Sequence, residues 1–246
     1  MKKKIIIAVI TIVCIIALIC VLAIAGKTDS SQTAEESGSE AGSETETETE
    51  AETETGSETE TETTTADPET LIDFDAEYPY IIYVNISLNR VVVYAIDYDG
   101  NYSIPYLGFV CSTGLEEGTT PTGTYTISDQ YEWRALDGGV YGQYASRICG
   151  SVLFHSVPYT AMSKDTLETE EYNKLGEAAS LGCVRLTVAD AKWIYDNCAA
   201  GTTVVMYEDD DEVFEVEFEE PMTIPLDSEY AGWDPTDPDE NNPWNS

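Results

Sequence analysis

Bases are scarce in this chain. Its 246 residues hold 11 Lys and Arg and a single His against 47 Asp and Glu, a formal net charge of −36. That excludes nucleic acid as a partner, because neutralising a phosphate backbone needs clustered cations. One histidine and no Cys-x-x-Cys pair also leave no usual zinc ligand set. No metal and no cofactor is expected. Between residues 27 and 67 the chain has no aromatic and no large aliphatic residue, which excludes a packed core there.

The composition divides the chain into four parts. Lys2, Lys3 and Lys4 precede an apolar run from Ile5 to Ala25. That run is long enough to cross a hydrocarbon core of about 30 Å as a helix, and the lysines place its N-terminal end in the cytoplasm. Residues 1–26 are therefore read as a signal-anchor that holds the rest of the chain outside the cell. Ala23-Ile24-Ala25 also has the A-x-A form of a cleavage site, and cleavage there would secrete the domain. Residues 27–77 read as an acidic linker without order, whose Glu/Thr stretch from Lys27 to Asp67 has a reach between about 35 Å as a coil and about 130 Å extended. Residues 78–207 are the body, large enough for one domain with a real core. Residues 208–246 form an acidic tail rich in Pro and Trp.

Within the body, apolar and β-branched runs predict strands over Tyr80–Asn85 and Arg90–Ile96. Further strands are predicted over 102–112 (broken near Pro105), 124–127, 147–154 (broken near Gly150) and 202–207. Two helices are predicted late in the chain. Residues 165–175 follow Ser163 as a cap. Residues 188–198 start after Thr187, with Asp190 three positions on and Gly201 beyond the end. The fold class is mainly β: a β-sandwich or barrel-like core with two short helices.

The chemistry concentrates on two positions. The only histidine, His155, lies in the apolar run Val152-Leu153-Phe154-His155-Ser156. Cys183 lies in Ser180-Leu181-Gly182-Cys183-Val184-Arg185, between a glycine and a β-branched residue. Cysteine and histidine are the smallest set that performs acyl transfer, the imidazole taking the thiol proton as sulfur attacks. The competing reading makes Cys183 half of a disulfide, since Cys111, Cys149 and Cys198 also lie outside the apolar run and export permits bridges.

These residues resemble the L,D-transpeptidases of the YkuD type. The family signature is a histidine followed by Ser/Thr-His-Gly-Cys, an apolar residue and Arg or Asn; His155 and residues 180–185 match it. Three further segments fit: Leu88-Asn89-Arg90-Val91-Val92-Val93-Tyr94, Cys111-Ser112-Thr113-Gly114 and Thr120-Pro121-Thr122-Gly123-Thr124-Tyr125. The chain departs from the signature at Leu181, where the motif has a second histidine, and the 28 positions from His155 to Cys183 exceed the common spacing.

The resemblance implies an enzyme that attacks a peptidoglycan stem peptide with Cys183 as nucleophile. His155 is then general acid and base, the Ser156 carbonyl orients it, and N–H groups around Gly182 and Cys183 form the oxyanion hole. Arg185, Arg147 and Tyr144 are candidate substrate contacts, with a structural ion pair or packing as the competing reading. Trp133 and Tyr141 share the aromatic loop of Tyr144, and residues 162–177 are long enough for a lid. The expected outcome is transfer to an amine and cell-wall cross-linking; hydrolysis as an L,D-carboxypeptidase, or a catalytically weak wall-binding module, are the alternatives.

Overall fold

A computed structural model describes residues 68–245. The apolar N-terminal run and the linker up to residue 67 lie outside the described residues. Among the described residues no helix is long and apolar enough to cross a membrane.

The domain is mainly β, with two mixed sheets and few helices. In chain order the strands are β1 (Tyr80–Asn85), β2 (Arg90–Ile96), β3 (Tyr102–Val110), β4 (Gly123–Thr126), β5 (Gln130–Ala135), β6 (Tyr141–Cys149), β7 (Val152–Ser156), β8 (Val184–Leu186) and β9 (Thr203–Tyr207). The helices are α1 (Thr169–Tyr172), between β7 and β8, and α2 (Val188–Asn197), between β8 and β9. One sheet has the order β3-β2-β1-β9-β4 and the other β5-β6-β7-β8. The closing strand β9 runs parallel to β1 at the centre of the first sheet, so the two ends of the body pair with each other.

Alternation explains the core. Ile82, Val84, Val91 and Val93 have no exposure, and Val204 and Leu186 are equally enclosed, as one face of each strand must be when the period is two. The β1–β2 hairpin turns through Asn89 at φ 54°, a left-handed conformation that asparagine tolerates better than most residues. Pro105 sits opposite Tyr94 where the β2–β3 register shifts, which is how a strand accommodates a residue without N–H. Helix α2 is capped as predicted: Thr187 Oγ1 accepts from the Asp190 N–H at 3.2 Å.

Several expectations change. The strand predicted over 147–154 is two strands, β6 and β7, joined by a tight turn at Gly150–Ser151. Strand β5, the first half of β6, and β8 were not anticipated. The helix predicted over 165–175 is reduced to the single turn α1. Leu167 and Tyr172 are each buried, but no helical stripe connects them.

The linker boundary and the tail also gain structure. Pro68–Leu71 form a 3-10 turn, and Ile72 is buried and bridged to Asp97. Beyond β9 the tail folds back along the domain. Phe218 pairs with Gly108 of β3 and lies under the Arg90 guanidinium. Asn173 and Ile224 exchange two hydrogen bonds of 2.8 Å, and Asp234, Asp237 and Asn242 are buried.

Candidate active site

Strands β7 and β8 run parallel, with Phe154 opposite Val184, His155 opposite Arg185 and Ser156 opposite Leu186. Phe154, Val184 and Leu186 are fully buried and define the core face. Alternation then turns His155, Arg185 and Cys183 to the other face. There they line one cleft of about 170 Å³ with Arg134, Asp137, Arg147 and Leu181.

The loop that carries Cys183 is held by the three motif segments in series. Asn89 Oδ1 accepts from the Thr113 N–H at 2.9 Å and from the Thr113 hydroxyl at 2.8 Å. The Thr113 carbonyl accepts from the N–H groups of Ala179 and Ser180. Ser112 and Arg185 exchange two backbone hydrogen bonds of 2.9 Å. The Thr120 hydroxyl donates to the Gly182 carbonyl at 2.8 Å and accepts from the Gly114 N–H. Finally Ser180 Oγ accepts from Gly182 N–H at 2.9 Å and donates to the Cys183 carbonyl at 2.6 Å. Gly182 has φ 132°, and a Cβ there would sit 2.5 Å from the Thr119 carbonyl oxygen; only glycine fits.

His155 is 2% exposed. Its Nδ1 lies 2.5 Å from the Ser156 carbonyl oxygen. A carbonyl can only accept, so Nδ1 carries the proton and donates, and Nε2 keeps its lone pair as a base. Ser156 is itself fixed, its hydroxyl accepting from the Gln143 N–H and donating to the Val157 carbonyl, each at 2.9 Å. Burial pushes the imidazole down to about 4, with a smaller push from the Arg185 charge. Burial pushes the Cys183 thiol up, against weaker pulls from the Leu153 N–H and Arg185. Both groups are therefore neutral at pH 7, and the thiol faces the Ser151 carbonyl oxygen at 3.5 Å.

Among the described residues Cys111, Cys149, Cys183 and Cys198 are all free thiols, so Cys183 is not half of a bridge. No group of His, Cys, Asp and Glu able to hold a metal ion is present among the described residues.

The structure sorts the remaining candidates. Arg185 and Arg147 both line the cleft, and both are ion-paired, Arg185 with Glu171 at 2.5 Å and Arg147 with Asp129 at 3.2 Å. Tyr144 does not line the cleft. It has φ 49°, is nearly buried, and packs edge-on against Tyr195 of α2 with Lys192 over its ring. Trp133 packs on Tyr159. The Gly182 N–H, expected as a free oxyanion donor, is taken by Ser180 Oγ.

No residue of 162–177 lines the cleft, although Glu171 pairs with Arg185 behind it. That segment is tied to the tail and to β7's exit instead: Leu167 N–H donates to Gly232 and Glu168 N–H to Pro158. The cleft wall is built by the β5–β6 hairpin, through Arg134, Ala135, Leu136, Asp137 and Val140. Its signal in the sequence is Asp137-Gly138-Gly139, whose two glycines take φ 89° and 80° at the turn.

A family model described as the L,D-transpeptidase catalytic domain, YkuD, matches residues 79–206. A putative L,D-transpeptidase of Bacillus subtilis (strain 168), YciB, is 40% identical over 102 residues, covering 39% of this chain and 52% of that protein. The match thus spans about half the length of that relative. Among solved structures, an L,D-transpeptidase from Mycobacterium tuberculosis H37Rv aligns with a TM-score of 0.42 and 24% identity over 53% of this chain and 58% of that one. A fused Zn-dependent amidase/peptidase/peptidoglycan-binding protein from Clostridium acetobutylicum ATCC 824 aligns with a TM-score of 0.40 and 24% identity over 54% and 55%. With more than half of its length matched by that family model, the chain belongs to the YkuD family of L,D-transpeptidase catalytic domains.

Proposed function

We propose that the domain is an L,D-transpeptidase that forms a thioester on Cys183 with a peptidoglycan stem peptide and passes the acyl group to an amine. The observation that carries this reading is the His155 imidazole, locked by the Ser156 carbonyl with Nε2 unprotonated, on the same sheet face as Cys183. Because both groups are neutral at rest, thiol deprotonation accompanies attack. Sulfur bonds to the carbonyl carbon while the thiol proton moves to Nε2. The C–N bond then breaks, and Nε2 returns that proton to the leaving amine. An acceptor amine attacks the thioester, gives its proton to Nε2, and the sulfur leaves and is reprotonated. With the Gly182 N–H engaged, the Cys183 N–H is the donor in this loop assigned to the developing oxyanion.

Mass spectrometry of the purified full chain after incubation with a carbapenem tests the nucleophile. An adduct on Cys183 that disappears in Cys183→Ala is expected; a folded protein that takes no adduct overturns the reading. Product analysis with a disaccharide-tetrapeptide and an amine acceptor separates transfer from the carboxypeptidase alternative. A cross-linked product is expected, and release of the terminal residue alone would replace transferase with hydrolase. Leu181 is 78% exposed at the cleft and its alkyl side chain can supply neither a proton nor a hydrogen bond, so the proposed steps use Cys183 and His155 alone.

The same reading places the domain outside the cell, held by the apolar run 5–25 with its lysines in the cytoplasm, and standing off the membrane on the Glu/Thr linker. The support is sequence alone: Lys2, Lys3 and Lys4 before an uncharged, apolar run of spanning length whose one hydroxyl residue is Thr11. Protease added to intact cells is expected to remove the domain and leave an N-terminal fragment in the membrane fraction. Recovery of the full chain in the medium, shortened after Ala25, would replace the anchor with a cleaved signal.

A further inference from the structure

The chain has four arginines, Arg90, Arg134, Arg147 and Arg185, and three of them line the cleft that holds Cys183 and His155. In a protein of net charge −36 this concentrates positive charge at one place. Two of the three already face a carboxylate: Arg147 pairs with Asp129, and Arg185 with Glu171, which Lys174 shares. Arg134 differs. Among the described residues it has no carboxylate within ion-pair distance, and its guanidinium carbon rests 4.7 Å from the centre of the Tyr131 ring. A ring face holds the planar group in place without cancelling its charge or occupying the donors along its edge.

Its position is set by register. Arg134 on β5 pairs with Gly142 on β6, and the His155 ring fills the space where a Gly142 side chain would be. The free guanidinium therefore starts from the strand next to the one that backs the base. Asp137 lines the same cleft from the hairpin tip, and Arg134 is the one cation among the hairpin residues of that wall. A planar fork of N–H donors matches a carboxylate in two parallel hydrogen bonds.

Resting on the proposed function, we infer that Arg134 is a specificity residue that binds a free internal carboxylate of the donor stem peptide, so that the cleft discriminates against stems in which this carboxylate is amidated. The atoms of the reaction are untouched by Arg134; it fixes the peptide whose carbonyl Cys183 attacks.

Two measurements on the full chain test this. The first is the acylation rate of Cys183 with a tetrapeptide stem bearing free internal carboxylates and with the same peptide carrying them as primary amides. The free acid is expected to react about 10- to 100-fold faster, the range for losing a hydrogen bond to a charged group. Arg134→Gln should remove that preference by slowing the acid alone, and Arg134→Lys should restore part of it. Equal rates for the two peptides in the wild type, or an equal drop on both in Arg134→Gln, overturn the inference. The second measurement is the affinity of Cys183→Ala for the two peptides, which needs no chemistry. If neither peptide acylates the wild type, the transpeptidase reading falls, and the affinity ratio still decides the role of Arg134. A ratio above about tenfold sustains it and a ratio of one removes it.

Discussion

Gly142 and His155 are matched in shape: a Cβ on Gly142 would lie 2.8 Å from the imidazole Nδ1 and 3.0 Å from its Cγ. The ring is held at the same Nδ1 by the Ser156 carbonyl, so an added methyl has no room unless the imidazole moves. Gly142→Ala is expected to keep the fold and lower the acylation rate of Cys183 about 100-fold, the order seen when a catalytic group shifts by about 1 Å. Stopped-flow acylation by a carbapenem, paired with thermal unfolding, checks it. A wild-type rate would mean that the ring position is not critical.

The neutral resting pair has a direct signature. With the thiol pushed up and His155 pushed down to about 4, a neutral thiol beside a neutral imidazole is the resting pair expected between pH 5 and 8. Alkylation of Cys183 by iodoacetamide in the full chain should climb steadily with pH and bend only above the ordinary thiol range of about 8.5. Peptide mapping identifies the labelled cysteine, since Cys149 is also partly exposed. A rate plateau across pH 5–8 would reveal a preformed ion pair instead.

Two buried groups pull stability in opposite directions with pH. The folded His155 is depressed to about 4 from 6.5, so the unfolded chain takes up the proton first. Stability is full above pH 6.5 and falls as pH drops toward 4, by about 3 kcal/mol at most. Asp234 is raised to about 6 from 3.8 by burial. Here the folded state binds the proton first, so its contribution is full below 3.8 and is lost as pH rises through 6, again by about 3 kcal/mol. The gap in unfolding free energy between His155→Gln and wild type should therefore change by about 2–3 kcal/mol between pH 7 and pH 4.5, in favour of the variant at the lower pH. Urea titrations at the two pH values measure it; an unchanged gap would show that the imidazole is protonated in the folded state at pH 4.5.

The legibility of this protein in its sequence follows the range of the interactions. Strands β1 and β2 appear at the predicted residues because alternation of Ile82, Val84, Val91 and Val93 is a local pattern. The Thr187–Asp190 cap is likewise contained in four residues. Cys183 and His155 were visible through residue type and motif. Strand β5 was not, because Gln130-Tyr131-Glu132-Trp133-Arg134-Ala135 has no buried face to give it a period. The three-residue β8 is too short to read, and it forms because β7 and Ser112 flank it. Tyr144 looked like a loop aromatic and proved to be packed on α2. Least readable was the segment 162–177, whose partners Ala231, Gly232 and Ile224 lie 51 to 65 residues further on.

That tail now has a structural task with a measurable consequence. Asp234 is fully buried, and its Oδ2 accepts from the Val188 N–H at 2.9 Å, at the first turn of α2. Its Oδ1 accepts from the Thr236 N–H and hydroxyl at 2.8 and 2.7 Å, and the same hydroxyl accepts from the Ala189 N–H at 3.0 Å. One carboxylate thus satisfies the Val188 N–H directly and the Ala189 N–H through Thr236, two groups the helix cannot satisfy itself, and when ionised it places negative charge at the positive end of α2. Asp234→Ala leaves those donors buried without a partner and loosens Thr236. Losing a cap costs about 1 kcal/mol and an unsatisfied buried donor about 1–3, so the full chain should lose about 2–4 kcal/mol at pH 5, and less at pH 7, where ionising the buried Asp234 already costs the wild type stability. Asp227→Ala, on an exposed turn of the same tail, should stay within about 0.5 kcal/mol. Helix α2 packs against β6, β7 and β8, and the last two carry His155 and Arg185. Acylation of Cys183 should consequently fall in Asp234→Ala before global unfolding sets in, and hydrogen exchange should rise first at Val188 and Ala189. Equal stability of the two variants would show that the tail rests on the domain without supporting it.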